Sequence, residues 1–311
     1  MDQARATGRT EPGIGVLLPT VDPTGEGLPP VAECAATAEA LGFDSVWVGD
    51  HLVFHCPYLE ALTTLSAAGA ATSTVSLGTG VLLLPLRHLT WTVKQLTSLQ
   101  VLHGDRLVLG VGLGGEGAQE WEAAGVDRAT RGARLTAQLA ELADALGGRA
   151  FVDGERTVPP LLPHGAPPPV WVGGRSDAAL QRAATYGDGH LALFMDPEGL
   201  RRARRRLDEL AEHRGRQPVR LGLNVLVWVD DDPTAAARAA ATYVEGVFQM
   251  PYARAMPYAA VGTHDQVVAS LRALRDAGAE SMVFLPAGPA PAYRDQLVRL
   301  AQVRADVIGV G

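Results

Sequence analysis

The chain has 311 residues, enough for two average domains or one large α/β barrel, and 47% hydrophobic against 20% charged residues suffices to bury a full core. A net charge of −7 argues against a nucleic-acid or anionic-membrane surface, and the two cysteines, Cys34 and Cys56, make no disulfide framework. No apolar run reaches membrane-spanning length and Met1 to Pro12 is polar with no signal-peptide core, so the reading is a flexible tail (1–12) before one domain (13–311) in a soluble, cytoplasmic protein.

Gly13 to Pro19 (GIGVLLP) has strand length and is uniformly apolar. From Pro29 to Leu41, Val31, Cys34, Ala35, Ala38 and Leu41 recur at helical spacing, and Gly42 ends the run. Ser45 to Asp50 reads as the second strand and Leu59 to Ala71 as the second helix. Val75 to Leu84 is the third strand, with a helix near Thr92 to Leu102. Arg106 to Leu113 is the fourth, followed by a helix from Arg131 to Leu146. Phe151 to Pro169 carries six prolines, which exclude regular helix and central strand, so it reads as an excursion at the rim. Val170 to Val172 is the fifth strand. Gly173 and Gly174 break it, and Ser176 with Asp177 caps the helix continued by Ala178, Ala179, Leu180, Ala183 and Ala184. Leu191 to Phe194, Arg220 to Val229 and Ser281 to Leu285 complete eight strands. Helices near Pro197 to Arg214, Thr234 to Val247, His264 to Ala277 and Pro291 to Val303 lie between and after them. This alternation predicts a single closed parallel (β/α)8 barrel, the TIM barrel, with a short proline-rich insertion, rather than an open doubly wound sheet.

In such barrels the reacting groups gather where the strands end. Gly173, Gly174, Arg175 and Ser176 combine a glycine turn, a helix start and a guanidinium, which suits a phosphate monoester. Asp50 and His51 close the second strand, and a histidine there serves as acid, base or hydrogen-bond donor. His51 and His55 share a helical spacing, but no third ligand is suitably placed, so no metal is expected. Gly110, Gly112 and Gly115 formally match G-x-G-x-x-G. No helix opens directly behind them, and they read as room for a ligand's flat face, with Glu116 and Glu120 as solvated charges. The run Leu200 to Leu207 (LRRARRRL) reads as a solvated helix face balanced by Asp208, Glu209 and Glu212. Its functional alternative is a landing strip for a polyanionic cofactor tail. Trp47, Trp171 and Trp228 fall in strand patterns and read as packing. His88, Trp91, Trp121, Phe194 and Met195, with the Tyr252, Met256 and Tyr258 cluster, are the substrate-pocket candidates. No G-x-S-x-G nucleophile motif is present.

Six ordered segments resemble the bacterial luciferase-like superfamily of flavin- and deazaflavin-dependent oxidoreductases and monooxygenases. They are LGFDSVWVGDH (Leu41 to His51), VSLGTGVLLLPLRH (Val75 to His88), DRLVLGVGLGG (Asp105 to Gly115), GVDRATRGAR (Gly125 to Arg134), VWVGGRSDAALQRAATYGDGH (Val170 to His190) and GTHDQVVASLRALRDAGAESMV (Gly262 to Val283). The resemblance implies a flavin-type ring at the barrel mouth, its phosphate on Gly173 to Ser176, with Asp50 and His51 as the catalytic pair beside it. It implies that Thr79, Gly80 and Val81 back the ring through a non-prolyl cis peptide at Gly80–Val81, with Gly112 alongside, and that the chain forms a homodimer. Two departures stand out: Gly115 occupies the place of a family acid, with Glu116 one position late, and Gly147 to Pro168 is shortened. The implied activity is oxidation or reduction of a small organic substrate through a reduced flavin-type cofactor. The Asp50–His51 pair and the compact chain favour hydride transfer with coenzyme F420. The alternative is an oxygen-dependent monooxygenase using reduced FMN from a separate flavin reductase. A non-catalytic flavin-binding partner subunit and a metal-dependent hydrolase are the rivals from other classes.

Overall fold

The computed structural model describes residues 13–114, 117–163 and 165–309, so the expected N-terminal tail, Gly115 and Glu116 lie outside the described residues. Strands β1 (Ile14–Leu17), β2 (Ser45–Val48), β3 (Ser76–Thr79) and β4 (Leu107–Val111) come first, and β5 (Phe151–Asp153) with β6 (Arg156–Val158) makes an antiparallel hairpin. Then follow β7 (Val170–Gly173), β8 (Gly189–Leu193), β9 (Arg220–Val229), β10 (Ala259–Gly262) and β11 (Ser281–Pro286). Eight of these, β1, β2, β3, β4, β7, β8, β9 and β11, pair in parallel in that order, and β11 returns to β1 to close the ring. The predicted closed TIM barrel is therefore the observed one.

Helices α1 (Val31–Ala40), α2 (Ala61–Ala70), α3 (Leu89–His103), α4 (Ala118–Ala123), α5 (Arg131–Leu146) and α6 (Asp177–Tyr186) occupy the first part of the chain. They are followed by α7 (Pro197–His213), α8 (Pro233–Phe248), α9 (Tyr252–Ala255), α10 (His264–Asp276) and α11 (Tyr293–Ile308). Along each strand, alternate residues take opposite faces. Val16, Val46, Leu109, Val172, Ala192, Leu223 and Val225 join the core between sheet and helices, while Leu17, Trp47, Val108, Trp171, Leu191, Leu226 and Val283 fill the barrel. Both faces are thus apolar, which is why the strands read as continuous hydrophobic runs. Trp171 and Trp47 are packing residues as predicted. A Cβ at Gly189 or Gly222 would lie 2.3 or 2.5 Å from the Trp171 ring, and one at Gly78 would lie 2.2 Å from Trp47.

Besides helix α4, which opens at Ala118 where the sequence reading placed no helix between the fourth strand and Arg131, two features differ from that reading. The excursion after α5 opens with the β5–β6 hairpin, turning at Gly154 (φ +67°), before the prolines begin. Three-residue strands are too short for a period-two signal. The proline run itself is irregular, as expected, and is clipped to α3 by the Lys94 ammonium on the Leu162 carbonyl and the Gln100 amide on the Ala166 carbonyl. The second feature is β10, which lies outside the ring. β8 pairs with β9 only as far as Leu193–Asn224, and β10 takes over the free edge from Leu226 to Val229. Among the described residues no helix is long and apolar enough to cross a membrane.

Candidate active site

At the end of β3 the Gly80–Val81 peptide bond is cis, at the position the resemblance indicated. The Thr79 hydroxyl donates to the Gly110 carbonyl (2.7 Å), Leu82 N–H donates to the same carbonyl (2.8 Å), and Gly112 N–H donates to Leu82 (3.0 Å). These bonds zip the segment onto β4. The Val81 methyls occupy the space beside two glycines: a Cβ at Gly112 or Gly173 would lie 2.5 or 2.7 Å from them. The room expected at Gly112 for a flat ligand is thus filled by Val81, whose half-buried side chain is what the mouth presents there.

Asp50 is buried, and its carboxylate is fully engaged. Arg87 Nη2 donates to Oδ1 (2.7 Å), while Arg87 Nε (3.2 Å) and Leu83 N–H (2.9 Å) donate to Oδ2. Arg87 also pairs with Glu60 Oε1 at 2.8 Å, and its carbonyl accepts from Arg134 and Gln138 of α5. Asp50 therefore fixes the loops after β2 and β3. His51 stacks on Phe54 (centroids 4.1 Å apart) and meets the edge of Tyr58 (4.9 Å). Its Nδ1 lies 3.1 Å from Glu120 Oε1, which also accepts the Leu52 N–H at 2.7 Å. Glu120, read from sequence as a solvated charge, is instead 2% exposed on α4. Its neighbour Trp121, equally buried, was the available signal, because α4 must turn one face inward to bury that indole. His55 turns away, its Nε2 2.6 Å from the Gly246 carbonyl of α8. Among the described residues no group of three or more His, Cys, Asp or Glu side chains is placed to hold a metal ion.

The glycine turn after β7 has the predicted form. β7 ends at Gly173, Gly174 adopts φ +135°, and Ser176 caps α6 by accepting the Ala179 N–H at 3.3 Å. A Cβ at Gly174 would meet Ala179 Cβ at 2.7 Å, so only bare backbone passes here. The Ser176 hydroxyl hydrogen remains available to donate. Asp177, in the first turn of α6, is neutralised by Arg206 Nε at 2.7 Å. Arg175 is exposed, with Cζ 6.0 Å from the Phe194 ring centroid. A cleft of about 360 Å³ opens beside it, lined by Phe194, Met195, Arg202, Arg206 and Tyr258. The arginines of α7 are balanced by acids, Asp208 and Glu209 as expected and Glu198, Asp177 and Glu280 besides; Arg202 and Arg206 also reach the cleft. Beneath the turn, His190 of β8 is completely buried next to the Val172 and Gly174 backbone, and burial drives its pKa down to about 4.

The expected pocket residues are spread widely, and of the Tyr252, Met256 and Tyr258 cluster Tyr258 lines the cleft. Phe194 (φ +52°) and Met195 line the cleft, and Phe194 packs edge-on to Phe248 (5.0 Å) and Tyr258 (6.2 Å). Trp121 is buried, with no partner for its indole N–H among the described residues. His88 faces the hairpin, its Nδ1 2.9 Å from Asp153 Oδ2, and Trp91 is 70% exposed in the first turn of α3.

A closed parallel barrel whose mouth joins a glycine turn at a helix N-terminus to a histidine–carboxylate pair is the class of protein this architecture defines. The chain belongs to the luciferase-like monooxygenase family, whose model matches residues 13–260, and it is accordingly an oxidoreductase. Among its relatives, an F420-dependent glucose-6-phosphate dehydrogenase of Nakamurella multipartita is 32% identical over 207 residues, covering 58% of this chain and 60% of that protein. Among solved structures, an F420-dependent secondary alcohol dehydrogenase bound to an F420–acetone adduct superposes with a TM-score of 0.80 at 18% identity, covering 96% of this chain and 99% of that one. The oxygenating constituent of 3,6-diketocamphane monooxygenase from Pseudomonas putida, a type II Baeyer–Villiger monooxygenase in complex with FMN, gives a TM-score of 0.76 at 17% identity, covering 96% and 98%.

Proposed function

We propose that this enzyme transfers a hydride between coenzyme F420 and a small organic substrate at an alcohol or carbonyl carbon. The observation that carries the reading is the His51–Glu120 pair. Moving a hydride to or from such a carbon requires a proton to move at the adjacent oxygen, and an imidazole held by a buried carboxylate is built for that. Oxygenation asks instead mainly for exclusion of water. When bound, the deazaflavin supplies or accepts the hydride. The protein's part begins with Glu120, which accepts the Nδ1–H of His51 and leaves Nε2 to exchange a proton with the substrate oxygen. Phe54 and Tyr58 hold the imidazole plane, and Asp50 acts through Arg87 as a positioning residue. The backbone at Gly173 and Gly174, the Ser176 hydroxyl and Arg175 would hold the cofactor phosphate, with Thr79, Gly80 and Val81 behind the ring. The glycine turn, which excludes any Cβ, and the cleft beside Arg175 fit that group. Phe194 and Met195 line the open side, and the working unit in this reading is a homodimer that needs no separate flavin reductase.

The test is to titrate the protein with F420 and with FMN, following ring fluorescence. F420 binding at least tenfold tighter than FMN is expected, and Arg175→Glu should weaken both. Tight FMN binding without F420 binding would reverse the assignment in favour of the monooxygenase.

A further inference from the structure

The interior face of β9 reads Gly222, Asn224, Leu226 and Trp228, because the intervening Leu223, Val225 and Val227 belong to the helix-facing core. Gly222 is covered by the Trp171 ring, and Leu226 belongs to the apolar barrel filling. Asn224 is the exception. It lies at the level where β8 ends, opposite Leu193, and is 5% exposed. Its Oδ1 is fully buried and has no hydrogen-bond partner among the described residues. A Cβ built at Gly80, on the far wall of the barrel, would lie 3.5 Å from Asn224 Oδ1, 3.8 Å from its Nδ2 and 3.5 Å from the Trp47 ring. The carboxamide thus stands directly under the Gly80–Val81 segment that backs the mouth.

Nothing local favours this residue. Asparagine is disfavoured in strands, and a buried carbonyl oxygen left unpaired costs about 1–3 kcal/mol. Ser45, another polar group of the barrel strands, accepts the Trp47 indole N–H at 2.8 Å, whereas the Asn224 carbonyl has no such donor among the described residues. A leucine would fill the same place with no orphan. A carboxamide presents one donor and one acceptor side by side, the complement of an imide edge that offers N–H next to C=O.

We propose that Asn224 is a ring-contacting residue that recognises the imide edge of the bound cofactor from inside the barrel, through the carboxamide whose Oδ1 is left unpaired under Gly80–Val81. This rests on the proposed use of a flavin-type ring and holds for FMN and F420 alike, since both carry that edge.

The experiment compares wild type, Asn224→Leu and Asn224→Asp, each without ligand and titrated with FMN and with F420. In Asn224→Leu the ligand-free melting temperature is expected to hold or rise, while affinity for the preferred ring falls about tenfold. In Asn224→Asp the shape is kept, and the absorption maximum of the bound ring shifts because a donor has been replaced by an acidic group. Affinity within twofold of wild type and an unshifted spectrum in both variants would overturn the inference, leaving the amide to a buried water, and the cofactor reading would stand. Failure of wild type to bind either ring would overturn both at once.

Discussion

A carboxylate buried on a six-residue helix has to be satisfied by the protein, and Glu120 is satisfied by His51 and by the Leu52 N–H. Glu120→Gln keeps an acceptor for Leu52 and should leave the melting temperature nearly unchanged, whereas Glu120→Ala strands that N–H and should cost about 1–3 kcal/mol in denaturant unfolding. His51→Ala should slow turnover by about 10²–10⁴-fold with cofactor affinity little changed, the signature of a lost proton-transfer group. Turnover within a factor of two of wild type would remove His51 from the chemistry. The second residue with a measurable consequence is His190. Its pKa is about 4 in the folded chain against about 6.5 when unfolded, so between these values only the unfolded chain takes up the proton. The His190 contribution to stability is complete above pH 6.5 and is lost as the pH falls toward 4, by about 3 kcal/mol in all. Unfolding of His190→Leu at pH 7 and pH 4.5 should show a flatter acid limb than wild type, and an identical slope would refute the assignment. Glu39 acts lower on the scale. Burial would raise its pKa, but the N–H groups of Thr74, Val75 and Ser73 and the Thr74 hydroxyl bring it down to about 2, so its contribution, present above the ordinary carboxylate range, is lost only as the pH falls toward 2.

The hairpin β5–β6 shows how a short element can serve a longer one. Helix α3 begins at His88 without a side-chain cap of its own. Asp153, at the hairpin turn, supplies the missing acceptor: it takes the Thr90 N–H (2.9 Å) and hydroxyl (2.7 Å) and faces His88 Nδ1. A carboxylate at a helix N-terminus contributes about 1 kcal/mol through the cap and the helix dipole. Asp153→Ala should therefore lower the melting temperature by about 1–2 °C, and Asp153→Asn should recover part of the loss. No change in either variant would mean that the hairpin merely rests on α3. The helices of this chain were legible because Leu135, Leu139, Leu142 and Leu146 of α5, for example, repeat on one face. The hairpin and β10 were not, since three or four residues carry too little pattern and their pairing partners are distant or unpatterned.

At the scale of the molecule, ring closure brings Asp50, Gly80, Gly112, Gly173 and Phe194 to one mouth, although 144 positions separate the first from the last. On the outside, α3 exposes Trp91, Val101 and Leu102, at 70%, 58% and 68%. Apolar exposure concentrated on one helix suits association with a second copy. Light scattering should give twice the chain mass, and Trp91→Glu with Leu102→Glu should give the monomer; a monomeric wild type would refute the homodimer. By itself the sequence determined the barrel, because continuous apolar runs alternating with amphipathic helices have few other ways to bury both faces of a parallel sheet. It also determined the glycine turn after β7, which depends on neighbouring residues alone, whereas the position of the cis peptide was indicated by the family resemblance. What only the tertiary structure decided was which side chains meet. Glu120 reaches His51 across 69 positions, Arg87 occupies Asp50, and Asn224 comes under Gly80 from the opposite wall. Such pairings are set by strand register and loop path, which leave no period in the sequence, so the His51–Glu120 pair and the unpartnered Asn224 Oδ1 emerged only once the ring was closed.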